Sequence, residues 1–379
     1  MADERVRRGD EGARRSGEAS GRSEEVSGRG EARTGASRAS RRGVLAATAA
    51  AGLGLLAACA ESSSRADSPP HKSPPGGGAR QSPSGPAGTS DPPGSPSRSA
   101  PATARPSDHP AKRRRPELPR GGRELFPRYR LVGFCGLPGA AALGRLGTGD
   151  PGERAGEIAK VARSYAGGRE PLPVLELLAV VANAAAGPDG TYRSRTPAAT
   201  VRRFHRLARR RRALLLLNIQ PGRASVLDEV KALREWLVHP DVGVALDPEW
   251  EMGAGEVPGD SYGHTDGHEL TEVARYLSEL VEVHDLPQKP LVFHQVATSV
   301  VREQSALRPQ PGVALIKSAD GIGSPGLKRG TWRRLVSDLP DGLHTGFKLF
   351  YEEDAQGSRL MTPKEVLALR PQPEYVMYE

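Results

Sequence analysis

From about residue 125 onward the chain repeats one unit: a short, nearly all-apolar run, a polar turn, then an amphipathic stretch with helical spacing. The apolar runs fall at 130–136, 173–182, 213–220, 242–249, 290–296, 313–320, 346–352 and 374–378. Helical patterns lie between them at 153–165, 198–211, 226–238, 269–283, 301–307, 327–339 and 364–369. A strand that is apolar on both faces needs cover on both, which a parallel sheet obtains from its own crossover helices. Eight such strands joined by right-handed crossovers close most economically as a (β/α)8 barrel of the TIM type. The competitor is an open doubly wound sheet. That fold usually carries a glycine-rich phosphate loop after its first strand, and Gly136-Leu137-Pro138-Gly139 does not have the G-x-G-x-x-G spacing. The expected fold class is therefore α/β, with the barrel occupying residues 121–379.

The first 120 residues have a different composition. They are rich in Arg, Ser, Gly and Pro and contain one aliphatic run, too little apolar surface to offset the entropy of ordering them. This region is expected to be disordered. Within it, Ser40-Arg41-Arg42-Gly43-Val44-Leu45 opens an apolar stretch that ends Leu56-Ala57-Ala58-Cys59. Paired arginines, a run of about 15 apolar residues and small residues at the end build an export leader, shorter than the roughly 20 residues of a permanent membrane helix. The ending resembles a bacterial lipobox. That resemblance implies a twin-arginine lipoprotein signal peptide over 1–59, with Cys59 joined to diacylglycerol and acylated by a fatty acid such as palmitate. The expected location is the outer face of the cytoplasmic membrane, with the membrane as partner through the anchor. Residues 60–120 then form a Ser/Pro/Gly tether, spanning about 40 Å as a coil and about 190 Å where proline holds it extended.

The formal net charge of +9 raises the question of nucleic acid, and its distribution answers it. Residues 1–59 carry 11 Lys/Arg against 8 Asp/Glu and residues 60–120 carry 10 against 5, leaving 33 against 32 for the folded part. A nucleic-acid reader needs its basic footprint on the fold, so none is expected as a partner. Cys59 and Cys135 are the only cysteines. With Cys59 lipidated, Cys135 is unpaired, and a domain of this size needs no disulfide. The chain is expected to act as a monomer.

Polar residues gather at the carboxyl ends of the candidate strands, the rim on which parallel barrels carry their chemistry. The third ends Asn218-Ile219-Gln220, the fourth Asp247-Pro248-Glu249-Trp250, the fifth His294-Gln295, the sixth Lys317-Ser318-Ala319-Asp320, and the seventh Lys348-Leu349-Phe350-Tyr351-Glu352-Glu353-Asp354. Pro248 biases Asp247 towards extended backbone, where residues two apart share a face. Asp247 and Glu249 are thus expected to point with Ala245 into the mouth, while Val244 and Leu246 face the helices. Two acids on one face raise each other's pKa, and Trp250 would desolvate one further, which is what a general acid requires. The alternative is that Asp247 caps the next loop and Glu249 pairs with a base such as Lys348. On the seventh strand the same alternation groups Lys348, Phe350 and Glu352, placing Glu352 at the rim. Glu353 and Asp354 are open alternatives.

A carboxylate on the fourth strand opposite one on the seventh resembles the largest clan of barrel glycoside hydrolases. The resemblance implies Glu249 as acid/base and Glu352 as nucleophile, with Asp247 tuning Glu249. That clan usually ends its fourth strand Asn-Glu, and here Asp247-Pro248-Glu249 stands instead, which leaves open an inverting mechanism or no catalysis. Gln220, Trp250, His294, Gln295, Asp320, Lys348 and Tyr351 are the expected substrate-binding residues. Gln220-Pro221-Gly222-Arg223, Ala245-Leu246-Asp247-Pro248-Glu249-Trp250, His294-Gln295, Asp320-Gly321 and Phe350-Tyr351-Glu352-Glu353-Asp354 together resemble a family of actinobacterial secreted lipoproteins of uncharacterised function. That resemblance spans the globular part and implies location and fold. His264, Asp266 and His268 have metal-ligand chemistry, but Gly267 between them favours a turn in which Asp266 caps a helix, so no metal is expected. No cofactor motif appears. A G-x-S-x-G elbow is lacking and Cys135 has no nearby base, which disfavours serine or cysteine nucleophiles. The expected function is binding or hydrolysis of a cell-envelope polysaccharide, the alternative a non-catalytic carbohydrate-binding or scaffold lipoprotein.

Overall fold

The computed structural model describes residues 115–379. The leader, Cys59 and the tether up to residue 114 lie outside the described residues. Eight parallel strands form a closed barrel: β1 (Tyr129–Gly136), β2 (Glu170–Ala182), β3 (Leu214–Ile219), β4 (Val242–Leu246), β5 (Lys289–Gln295), β6 (Val313–Ala319), β7 (His344–Leu349) and β8 (Tyr375–Tyr378). Each pairs with the next in the chain, and β8 returns to β1 with Leu131 opposite Tyr375. The outer ring includes α1 (Pro151–Val161), α2 (Ala198–Arg211), α3 (Val226–Ala232), α4 (Arg234–Leu237), α5 (Gly267–Val283), α6 (Pro325–Val336) and α7 (Pro363–Leu367). No helix among the described residues is long and apolar enough to cross a membrane.

Strand alternation divides the core into two layers. Val132, Leu175, Leu217, Val244, Leu291, Leu315 and Phe347 face outward and pack with Ile158, Phe204, Leu237, Leu277 and Trp332 of the helices. Leu131, Val174, Leu214, Ala245, Val292, Ala314 and Tyr375 face inward and fill the cylinder. Each large apolar side chain buried in this way contributes about 1.5–3 kcal/mol. The split of β4 follows the expected parity, with Ala245 inside and Val244 and Leu246 outside. Local chemistry fixes the helix starts. Asp150 accepts from the backbone N–H of Gly152 and Glu153 ahead of α1, Ser324 caps α6, and Thr362 and Glu365 form a capping box on α7.

Three details depart from the expectations. No α-helix separates β5 from β6. Two short 3-10 turns, Thr298–Val300 and Gln304–Ala306, stand there instead, with the two-residue strand Val301–Arg302 pairing with Thr265–Asp266. Arg193–Arg195 adds an antiparallel strand against the end of β2. The fold also begins earlier than residue 121. Leu118 and Leu125 are buried against the inward layer, and the Tyr129 hydroxyl donates to the Gly121 carbonyl at 2.6 Å, so this stretch closes the amino end of the barrel.

Candidate functional site at the carboxyl end of the barrel

The inward positions that are apolar at the amino end turn polar towards the carboxyl end. Glu176, Asn218, Asp247, His294, Ser318 and Lys348 share the parity of Val174, Leu216, Ala245, Val292, Ile316 and Gly346. All six polar side chains are buried. The closed cylinder brings them together although each comes from a different strand.

Glu176 anchors the lower tier. Its Oε1 accepts from Asn218 Nδ2 at 3.0 Å and from His294 Nε2 at 3.1 Å, and its Oε2 accepts from the Tyr375 hydroxyl. Burial alone would raise its pKa. The His294 charge and N–H, the Lys348 ammonium and the Tyr375 hydroxyl outweigh burial and bring it down to about 2. His294 is lifted in return: burial opposes its charged form, but Glu176 prevails. Sequence reading passed over Glu176. The available signal was a charged residue at an inward position of an otherwise aliphatic run, Leu175-Glu176-Leu177.

Asp247 links this tier to the next. It accepts from Asn218 Nδ2 at 3.2 Å and from Gln220 Nε2 at 3.1 Å. Because Asn218 Nδ2 meets both Glu176 and Asp247, its amide orientation is fixed by two carboxylates. Lys348 Nζ lies 3.0 Å from Asp320 Oδ2 and 2.5 Å from Glu379 Oε2. Burial disfavours its charge, yet Asp320, Glu379 and Asp247 raise it well above the ordinary lysine value. Lys348 therefore pairs with Asp320 and Glu379, not with Glu249.

Above these groups opens a cleft of about 360 Å³, within the range of small-ligand sites. Gln220, Asp247, Glu249, Trp250, Asp320 and Lys348 line it, all of them expected site residues; Tyr262, Thr331, Glu353 and Glu379 line it as well. Glu249 sits in a 3-10 turn over Pro248–Trp250 rather than in extended strand, and still reaches the cleft beside Asp247. The carbonyl of Glu249 accepts from Gly263 N at 2.7 Å, and the Glu251 carbonyl accepts from His264 N at 3.0 Å. A Cβ on Gly263 would lie 1.9 Å from the Glu251 carbonyl oxygen, so this crossing requires glycine. Glu249 is buried and its Oε2 has no partner. Burial, with Asp247 and Asp320 close by, pushes its carboxyl well above the ordinary value against the pull of Lys348. This is a carboxyl whose protonated form is favoured by its surroundings, facing a cleft.

Four expected site residues stand elsewhere. His294 and Gln295 are buried and do not line the cleft; His294 forms the floor beneath it. Tyr351 stacks on Tyr378 (centroids 5.0 Å apart, planes at 24°) and lies under the Arg145 guanidinium at 5.3 Å. It belongs to the outer packing layer. Glu352 is exposed and does not line the cleft, which corrects the parity expectation. β7 ends at Leu349 and residues 351–357 coil into turns, so alternation no longer holds there. Glu353 lines the cleft instead. Asp354 is buried, accepting from Phe350 N at 3.0 Å and Gly323 N at 2.8 Å and pairing with Lys328 Nζ at 2.9 Å.

Asp247, His294 and Asp320 each offer an atom within 4.8 Å of the others. His294 Nδ1 lies 3.6 Å from Asp320 Oδ2, too far for a hydrogen bond. A cation would fit this donor set, and the Lys348 ammonium on Asp320 already supplies positive charge at that point. His268, of the loop considered for metal, is exposed, and Asp266 caps α5 by accepting from His268 N and Glu269 N, as expected. Cys135 is a buried free thiol pushed well above its ordinary pKa by burial, Glu176 and Glu379, unsuited to act as a nucleophile. Compared with known proteins, the chain matches no family model and no curated protein.

Proposed function

We propose that this barrel is a glycoside-hydrolase-like protein that binds and cleaves a polysaccharide of the cell envelope. One observation carries the reading: Glu249, a buried carboxyl with an unpartnered oxygen and a raised pKa, faces a cleft lined by four further acids, Asp247 and Asp320 among them. A carboxylic acid that keeps its proton near neutral pH can deliver it to the leaving oxygen of a glycosidic bond. Asp320, just past the end of β6 and with Oδ1 free, takes the second carboxylate role, as nucleophile or as the base that activates water. Asp247, held by Asn218 and Gln220, tunes Glu249. Trp250 and Tyr262 offer faces for a sugar ring, and Gln220 and Lys348 offer donors to its hydroxyls.

The test is turnover on a panel of envelope polysaccharides by wild type, Glu249→Gln and Asp320→Asn. Loss of cleavage in Glu249→Gln with binding retained supports the reading. Cleavage that survives both substitutions rejects it. The anomer first released, read by NMR, separates retention from inversion. A second reading, a non-catalytic glycan binder, is favoured by the Lys348 ammonium, which occupies Asp320 through Oδ2 and ties it to Glu379. Binding without cleavage in the wild type would select it.

The address is proposed from the leader alone. The paired arginines and the Leu56-Ala57-Ala58-Cys59 ending support twin-arginine export and lipid anchoring at Cys59 on the outer face of the membrane, in the manner of the actinobacterial lipoproteins the motifs resemble. Labelled palmitate entering wild type and not Cys59→Ala tests this. Equal labelling of both overturns it.

A further inference from the structure

The cleft is mismatched in hydrogen-bonding character. Five carboxyl-bearing side chains line it (Asp247, Glu249, Asp320, Glu353 and Glu379) against the single cation Lys348. That cation is already engaged at 3.0 Å by Asp320 and at 2.5 Å by Glu379. Buried atoms left without a partner at this end of the barrel repeat the imbalance. Among the residues that line the cleft, Asp320 Oδ1 and Glu249 Oε2 are buried without a partner. Asp320 is only 3% exposed and Glu249 8%. A buried acceptor left unsatisfied carries its full desolvation penalty, so an occupant that brings donors is favoured over one that brings acceptors.

From this arrangement we infer that the cleft selects a sugar carrying a free, protonated amine, an amino sugar without its acyl group, and discriminates against acidic sugars. The inference rests on the glycan reading above and refines it. An ammonium group has three donors and no acceptor, which suits Asp320 Oδ1 and the neighbouring Asp247. A uronic acid in the same place would set a carboxylate against those two acids, with Lys348 already committed. The ligand's charge also helps the chemistry. A positive charge near Glu249 offsets the upward pull of Asp247 and Asp320 on its pKa and so eases release of its proton.

The experiment measures binding of the full-length chain to four oligosaccharide sets of matched length: glucosamine, N-acetylglucosamine, glucose and galacturonic acid. Glucosamine oligomers are expected to bind at least tenfold more tightly than the neutral sets, with galacturonic acid weakest. The preference is expected to shrink as pH rises through the amine's own pKa and to fall severalfold in Asp320→Asn. Glu353→Gln, an exposed rim position that does not threaten folding, is expected to shrink it in the same direction. Equal affinity for glucosamine and glucose oligomers overturns the amine inference and leaves the glycan reading standing. Failure of every set to bind overturns the glycan reading and this inference with it. Saturable binding of Mg²⁺, Ca²⁺ or Zn²⁺ alone that blocks glucosamine and is lost in Asp320→Asn assigns the unsatisfied acceptors to a metal, and overturns the inference too.

Discussion

Glu176 on the floor and Glu249 on the rim are both buried glutamates within one barrel end, and their protons behave in opposite ways. Glu176 is surrounded by donors: Asn218, His294 and Tyr375. Its pKa falls to about 2 despite burial. Glu249 has Asp247 and Asp320 for neighbours and one oxygen without a partner, and its pKa rises well above 4.5. Burial is common to both, so the partners decide. A donor-rich shell holds a buried acid as its carboxylate, and an acid-rich shell makes it retain its proton.

That contrast can be broken by four measurements. In the largest effect, Glu249→Gln is expected to lower turnover about 10²–10⁴-fold, the usual contribution of a positioned general acid, without lowering the urea midpoint at neutral pH. A large stability loss instead would make Glu249 a structural residue like Glu176. Next, Glu176→Ala is expected to cost about 3–5 kcal/mol in urea unfolding, because it strands a buried His294 and two further donors. A cost under about 1 kcal/mol would show that the floor network does not hold the barrel.

The third measurement is the pH dependence of stability, where the two acids should have opposite signs. Glu176 has a folded pKa below its ordinary 4.5. Its stabilisation is fully present above about 4.5 and is lost as pH falls through about 2, and Glu176→Ala should flatten that acid limb. Glu249 has a folded pKa above 4.5. Its favourable contribution is present below 4.5 and is lost as pH rises towards the folded value, so Glu249→Gln should flatten the decline on that side. Identical limbs in both variants would refute the contrast. In the smallest effect, Trp250→Ala is expected to weaken glycan binding by about 1 kcal/mol, the order of one aromatic contact, without altering either limb.

The barrel was largely legible because its strands declare themselves locally. An apolar run such as Leu214–Ile219 needs cover on both faces whatever its neighbours are. The rim of β4 was legible for the same reason: Ala245 and Asp247 alternate with Val244 and Leu246, and Pro248 follows at once. Legibility ended where regular backbone ended. Glu352 was placed by extrapolating an alternation that β7 abandons at Leu349, and Tyr351 went into the outer layer with the same turn. Glu176 was missed for a different reason. A lone acid in an aliphatic strand reads as an anomaly until the residues that satisfy it are known.

By itself, the sequence determined the alternation of strand and helix, the sidedness of each strand and the collection of polar groups at the carboxyl ends, because these follow from periodicities of 2 and 3.6 within a few residues. It could not decide which acids are satisfied. The donors to Glu176 come from β3, β5 and β8, and the acids around Glu249 include Asp320, which follows β6, separations that only closure of the cylinder brings to contact distance. Charge state depends on those contacts through interactions that fade within a few ångströms and strengthen when water is excluded. Tertiary structure therefore decided which glutamate sits among donors in the floor and which one faces the cleft among other acids.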